Sequence, residues 1–254
     1  MNARPLPCVT RLVGIAATSL AVASSMPITS LAQAFPTTGN EVIARMNERY
    51  ADSWYPTLTF SQRTTRRTPG DSTVNETWKE AMIIPGRLRI DVQNVTPART
   101  YIYNGDSLFQ IHGDSVTREA QRNILLIMGF DVYRQAPEKT VAALTALHFP
   151  MTPVRGDDWQ GREVFVIGAN KGDLHSPQLW IDRDRLLFVR GIEPAPGDST
   201  KTVEYRFDNY TLTPGGWISR TVVVSVDGKQ VQKEEYSNIR MGEKLDRAMF
   251  VPPR

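Results

Sequence analysis

In 254 residues the sequence has a single cysteine, Cys8, and only three histidines, His112, His148 and His175. Cys8 precedes the first apolar run, so the chain beyond that run has no thiol chemistry and no disulfide framework. Its position also excludes the usual lipid attachment, where the cysteine directly follows the apolar run. The histidines form no H-x-x-x-H or H-x-H pair, and without cysteine support they are too few and too scattered for a zinc site. No metal and no cofactor is therefore expected. The sequence also lacks a G-x-S-x-G block, a P-loop and a dinucleotide fingerprint. Adjacent carboxylates at Asp157-Asp158 and Glu234-Glu235 stand without a supporting catalytic motif. Finally, there is no run of ~20 strongly apolar residues of the kind a membrane-spanning helix requires.

Acidic residues are missing as well from the beginning of the chain, where none precedes Glu41. Arg4 and Arg11 provide a positive start, Leu12 to Val22 is apolar or small, and Ala32-Gln33-Ala34 follows as a small-x-small site. Together these are the parts of a cleavable secretory signal. The expected domains are a signal peptide over residues 1–34 and a single domain over 35–254. Removing the first segment leaves 28 basic against 27 acidic residues, so the basic pI of the whole chain is no signature of nucleic-acid binding. An exported location, the periplasm in a bacterial envelope, is expected.

Beyond residue 40 the hydropathy pattern changes period. Val42, Ile43, Met46 and Tyr50 share one helical face, with Asn40 expected as N-cap. After Pro56 alternation takes over. Leu58 and Phe60, then Leu88, Ile90 and Val92, then Val203, Tyr205 and Phe207 alternate with polar residues, and Val222, Val224 and Val226 do so less cleanly. Strands with one wet face belong to antiparallel sheets. Turn signals at Pro69-Gly70-Asp71, Pro85-Gly86, Asn104-Gly105-Asp106, Gly113-Asp114, Pro214-Gly215-Gly216 and Asp227-Gly228 divide the chain into about ten strands of a meander. The fold class expected is mostly β with helices, an α+β arrangement built on a curved antiparallel sheet or incomplete barrel.

One segment breaks this pattern. Ile124, Leu125, Leu126, Ile127, Met128 and Phe130 form an almost unbroken apolar stretch, and Glu138 to Leu147 is a good helix-forming sequence. Two readings follow: a pair of helices buried in the core, or a lid over the mouth of a curved sheet.

Gly105-Asp106-Ser107-Leu108 spells the nucleophile block of the GDSL hydrolases. A nucleophilic serine needs a base within reach and a carboxylate to orient it. That family supplies both through an Asp-x-x-His, which none of the three histidines here completes. Gly-Asp-Ser recurs at Gly70, Gly113 and Gly197, each at an expected turn, so the block reads as turn chemistry. No enzymatic activity is expected, and an esterase-like hydrolase is a distant alternative.

Several stretches, taken in order, resemble the LolA/LolB lipoprotein-sorting family and its RseB-type relatives. They are the helix Glu41–Asp52 followed by Phe60-Ser-Gln62, and the strand Pro85-Gly86-Arg87-Leu88-Arg89-Ile90-Asp91. Next come Asn104-Gly105-Asp106-Ser-Leu-Phe109, then Trp180-Ile-Asp182, and near the end Phe250-Val-Pro252-Pro253. The resemblance implies an incomplete barrel closed by helices over an apolar cavity that takes lipid or lipoprotein acyl chains. It implies Leu88, Ile90, Val92, Val203, Tyr205 and Phe207 as ligand-facing residues, with Ile124 to Phe130 as lid. It further implies a carrier or chaperone in the cell envelope, or alternatively a lipid-sensing module that binds an envelope membrane protein. Two departures stand out. Ile84 occupies the place of the carrier's lid-contacting arginine, and the receptor's lipidated cysteine has no counterpart.

Overall fold

The structure, a computed structural model, describes residues 34–253 apart from Pro69 and Asp71. The expected signal segment, but for Ala34, lies outside the described residues, as do two of the three residues in the expected turn at 69–71. From Phe35 onward the chain forms one unit.

Helix α1 (Gly39–Tyr50) opens this unit. Its N-cap is Thr38 rather than the expected Asn40. The reason is a reciprocal pair: the Thr38 hydroxyl accepts the Glu41 N–H at 3.3 Å, while the Glu41 carboxylate accepts the Thr37 N–H at 3.0 Å. A threonine followed three residues later by glutamate satisfies two helix-end donors at once. Val42, Ile43, Met46 and Tyr50 are buried, as their spacing predicts.

The described residues form thirteen strands, against the ten expected, in one curved antiparallel sheet that does not close. A first meander comprises β1 (Thr57–Arg67), β2 (Thr73–Ile83), β3 (Arg87–Val92), β4 (Arg99–Asn104), β5 (Ser107–His112) and β6 (Ser115–Ala120). Next come α2 (Ile124–Gly129), a single 3-10 turn (Asp131–Tyr133) and α3 (Pro137–Ala146). A second meander comprises β7 (Val154–Trp159), β8 (Arg162–Ile167), β9 (Gln178–Asp182), β10 (Phe188–Ala195), β11 (Asp198–Thr213), β12 (Gly216–Val226) and β13 (Lys229–Met241). The meanders join where β1 pairs with β13, from Leu58 opposite Met241 to Arg66 opposite Gln232. That places β6 and β7 at the two edges, and the α2–α3 segment connects one edge to the other.

Alternation along the strands gives the sheet two unlike faces. One is covered by the helices and holds the main core, including Leu58, Phe60, Met82, Leu88, Ile181, Phe188, Phe207 and Val222. The outer face carries a smaller cluster of Ala81, Ile102 and Phe250, so the terminal Phe-x-Pro-Pro stretch packs on the back of the first meander. The Trp-Ile-Asp stretch forms β9, where buried Asp182 accepts hydrogen bonds from the Arg185 backbone and guanidinium at 2.8 and 3.0 Å. Gly70, Gly105, Gly113 and Gly197, the glycines of the four Gly-Asp-Ser blocks, all have φ between 59° and 83°. This is turn geometry that glycine adopts without steric penalty. Asp227 and Gly228, with φ of 46° and 72°, make the β12–β13 hairpin turn.

Candidate functional site

The site begins on the helix-covered face of the first meander. Trp78, Glu80 and Met82 of β2, Leu88 and Ile90 of β3, and Tyr101 and Tyr103 of β4 project to this face. On the far side of β1, Gln232, Glu234 and Tyr236 of β13 do the same. Helix α2 lies over them and contributes Leu125 and Leu126, followed by Phe130. Between helix and sheet remains a cavity of about 260 Å³. A second cavity of about 310 Å³ lies against the same helix, bounded by Gly86, Asp106, Arg122, Ile127, Asp131 and α3. Asn123 and Leu126 border both. Helix α2 therefore has open space on two sides, unlike an element locked into a close-packed interior.

Helix α2 has only six residues, too few to persist without tertiary support. Its start is fixed by Asn123, whose side-chain oxygen accepts the N–H groups of Leu125 and Leu126 at 2.9 and 3.3 Å. Its end is fixed by close packing, since Gly129 sits against the Phe207 ring. The residues that follow are held more firmly. Tyr133 stacks on Trp54 with ring centroids 3.8 Å apart, and its hydroxyl accepts the Phe188 N–H at 3.0 Å. Arg134 donates to the Trp54 carbonyl at 2.5 Å.

Asp131 lies between these regions. It is 3% exposed, and its carboxylate accepts the Gly86 N–H at 3.0 Å. Burial pushes its pKa up to about 7, a rise that this one hydrogen bond only partly offsets. Ile84, expected from the resemblance to stand where the LolA carrier has a lid-contacting arginine, is buried in the core. The tie between the Pro85-Gly86 turn and the segment after α2 is made by Asp131 and a backbone amide.

The cavity has an apolar wall and an acidic one. Glu234 is 6% exposed and accepts hydrogen bonds from Tyr236 at 2.7 Å and Gln232 at 2.6 Å. Burial nevertheless raises its pKa. Glu80 is 7% exposed; burial, with repulsion from Glu234, pushes its pKa well above the usual carboxylate range. Glu76, on the same face of β2, shows the contrast. Burial opposes its ionisation too, but hydrogen bonds from Arg99, Trp78 and Arg66 hold its pKa below the ordinary value. The Tyr103 hydroxyl is pushed up to about 12, chiefly by burial.

Of the ligand-facing residues expected from sequence, Leu88 and Ile90 are on the cavity wall. Val92 is buried one step further along β3, opposite Trp78 and Arg99. Val203, Tyr205 and Phe207 are on β11 in the second meander. There Tyr205 donates to Glu193 at 2.7 Å and Phe207 meets Phe188 edge to face and supports Gly129. Among the lid residues, Leu125, Leu126 and Phe130 face the first cavity and Ile127 faces the second. Ile124 and Met128 border neither cavity, and all of these residues but Leu125 are buried. Ser107 opens β5, and its hydroxyl accepts hydrogen bonds from Arg118 at 3.0 and 3.3 Å.

Several solved structures are similar to this fold. A DUF1329 family protein from Desulfovibrio piger superposes with a TM-score of 0.58 at 15% identity, over 84% of this chain and 95% of that one. A LolA superfamily protein from Nitrosomonas europaea gives 0.54 at 10% identity, over 85% and 99%. The fold is LolA-like. A domain from Vibrio parahaemolyticus, classed as an outer membrane lipoprotein-sorting protein, gives 0.57 at 12% identity over 84% and 95%. No family model matches the sequence, and no curated protein does. At such identities the likeness carries the LolA-like fold and no more.

Sequence reasoning missed the acidic wall. A signal for it existed: Glu80 stands between Trp78 and Met82, and Glu234 between Gln232 and Tyr236, each on the buried phase of its strand.

Proposed function

We propose that this protein binds the acyl or alkyl chain of a lipid or lipoprotein in the cavity beneath α2, acting as a carrier or chaperone in the cell envelope. The observation that carries this reading is a cavity of about 260 Å³ walled by Met82, Leu88, Ile90, Leu125, Leu126 and Phe130, under a helix with a second void behind it. Ligand pockets generally occupy ~300–1,000 Å³, so the cavity as it stands admits part of a chain, and movement of α2 enlarges it. Each methylene transferred from water contributes ~0.8 kcal/mol, so partial insertion already gives useful affinity. Helix α2 is the lid, covering apolar surface that would otherwise face water.

Among the described residues no helix is long and apolar enough to cross a membrane. Export with cleavage after Ala34 completes the proposal, and amino-terminal sequencing of exported protein should then read Phe-Pro-Thr-Thr. The functional test is mass spectrometry of small molecules extracted from protein purified under native conditions. A lipid or lipoprotein present in stoichiometric amount supports the reading. Protein that yields none, and takes up no neutral alkyl probe, refutes it.

A further inference from the structure

The acidic wall has no role in holding an alkyl chain. Glu80 and Glu234 flank β1 from either side, Glu80 opposite Phe60 and Glu234 opposite Thr64. Both are more than nine-tenths buried, and both line the cavity. Glu234 has protein partners in Tyr236 and Gln232. Among the described residues, the Glu80 carboxyl makes no hydrogen bond or ion pair to a protein group, although it borders open space. A buried polar group without a partner is costly to a fold, and here it is aimed into a cavity.

The remainder of that wall is aromatic: Trp78, Tyr101, Tyr103 and Tyr236. Aromatic faces are the negative part of the ring quadrupole and attract cations. Among the described residues, no lysine, arginine or histidine is on the cavity lining beside the two carboxyls. Glu76, on the same face of β2, is by contrast matched by two arginines. The cavity thus combines apolar side chains from β3 and α2 with acidic and aromatic ones from β2, β4 and β13.

We infer that the cavity is selective for amphiphiles carrying a protonated amine, the ammonium group seated between Glu80 and Glu234 against the aromatic side chains and the chain beneath α2. This rests on the chain-binding reading above and assigns the headgroup. An ammonium supplies the hydrogen-bond donors that the Glu80 carboxyl lacks. A carboxylate or phosphate headgroup would meet two acidic side chains and no cation among the described lining residues. Burial and the neighbouring Glu234 disfavour the ionised Glu80 carboxyl, and a cation beside it favours that form.

The test is calorimetric titration of the purified protein with dodecylammonium, dodecanol and dodecanoate, each below its micellar concentration. Dodecylammonium should bind about tenfold or more tightly than dodecanol, the order expected for a charge-assisted hydrogen bond with cation–π contact, and dodecanoate should bind most weakly. Glu80→Gln keeps the shape of the side chain and removes its charge. It should abolish the preference for the amine, read as the ratio of dodecylammonium to dodecanol affinity. Glu234→Gln, as a second variant, should reduce the preference in the same direction. Equal binding of dodecanol and dodecylammonium, tighter binding of dodecanoate, or an amine preference that survives Glu80→Gln overturns the headgroup assignment while leaving chain binding intact. Failure of all three amphiphiles to bind overturns both.

Discussion

Gly129 offers the most direct test of whether α2 can leave the sheet. A methyl group added there would lie 2.6 Å from Cε1 and 2.8 Å from Cζ of Phe207. Carbon atoms pack at ~3.5–4.0 Å, so either the ring or the end of α2 must move by about 1 Å. The ring has little freedom, because Phe188 meets it edge to face at 5.2 Å and both rings are buried. Overpacking of this kind costs ~1–3 kcal/mol, whereas alanine in place of glycine returns up to ~1 kcal/mol of helix propensity. Gly129→Ala should therefore destabilise by ~0–3 kcal/mol, lowering Tm by up to roughly 12 °C for a domain of this size. Because the displacement pushes α2 away from β11, uptake of a neutral fluorescent alkyl probe should become faster. Combining Gly129→Ala with Phe207→Leu should give a coupling of ~0.5–3 kcal/mol, since the smaller side chain relieves the clash. Calorimetric melting and stopped-flow uptake measure the two effects. A Gly129→Ala variant more stable than its parent refutes the close approach, and a destabilised variant with unchanged uptake refutes the lid.

Asp131 makes stability fall as pH rises: a carboxyl raised from 3.8 to about 7 in the folded state stabilises fully below pH 3.8 and loses that contribution as pH passes 7. The loss is on the order of 4 kcal/mol, so Asp131→Asn should match the parent near pH 4 and exceed it at pH 8; parallel pH–stability curves for the two proteins would refute this. Leu126→Asp, beside both cavities, should weaken alkyl-probe uptake in a folded protein, whereas Met128→Asp, fully buried, should lose several kcal/mol and unfold. Equal melting temperatures for those two variants would contradict the difference in their surroundings. Ser107→Ala removes only the acceptor for Arg118 and should leave binding and Tm nearly unchanged, and labelling of Ser107 by a serine-hydrolase probe would overturn the non-enzymatic reading.

Local chemistry was legible in the sequence, and long-range geometry was not. The face of α1, the alternation of β3 and β11, the hairpin at Asp227-Gly228 and the turn character of the Gly-Asp-Ser blocks all depend on residues close together in the chain. Strand number was underestimated because some short strands give weak alternation, β6 being exposed at all six positions. Alternation identified Leu88, Ile90, Val203, Tyr205 and Phe207 as facing inward, but not which of them lie beneath α2. That depends on how the two meanders join, which no local pattern records. The acidic wall was hidden for a related reason. A glutamate on a strand reads as its wet face, and only the coincidence of Glu80 with the phase of Trp78 and Met82 marks it as buried.

The pairing of β1 with β13 has a consequence for how the molecule forms. Each meander grows hairpin by hairpin from neighbours in sequence, but the seam between them unites Leu58 with Met241 and Arg66 with Gln232, ends of the domain brought together. Contacts of such high separation require loop closure before they return any stabilisation, and they form slowly. Until the last strand arrives, β1 is a bare edge, with its backbone donors open to pairing with other chains. The same late strand carries Glu234 and Tyr236. A chain emerging from its amino terminus therefore has the lid and the apolar wall before it has the whole acidic one, and selectivity for a headgroup is acquired only when synthesis and folding are nearly complete.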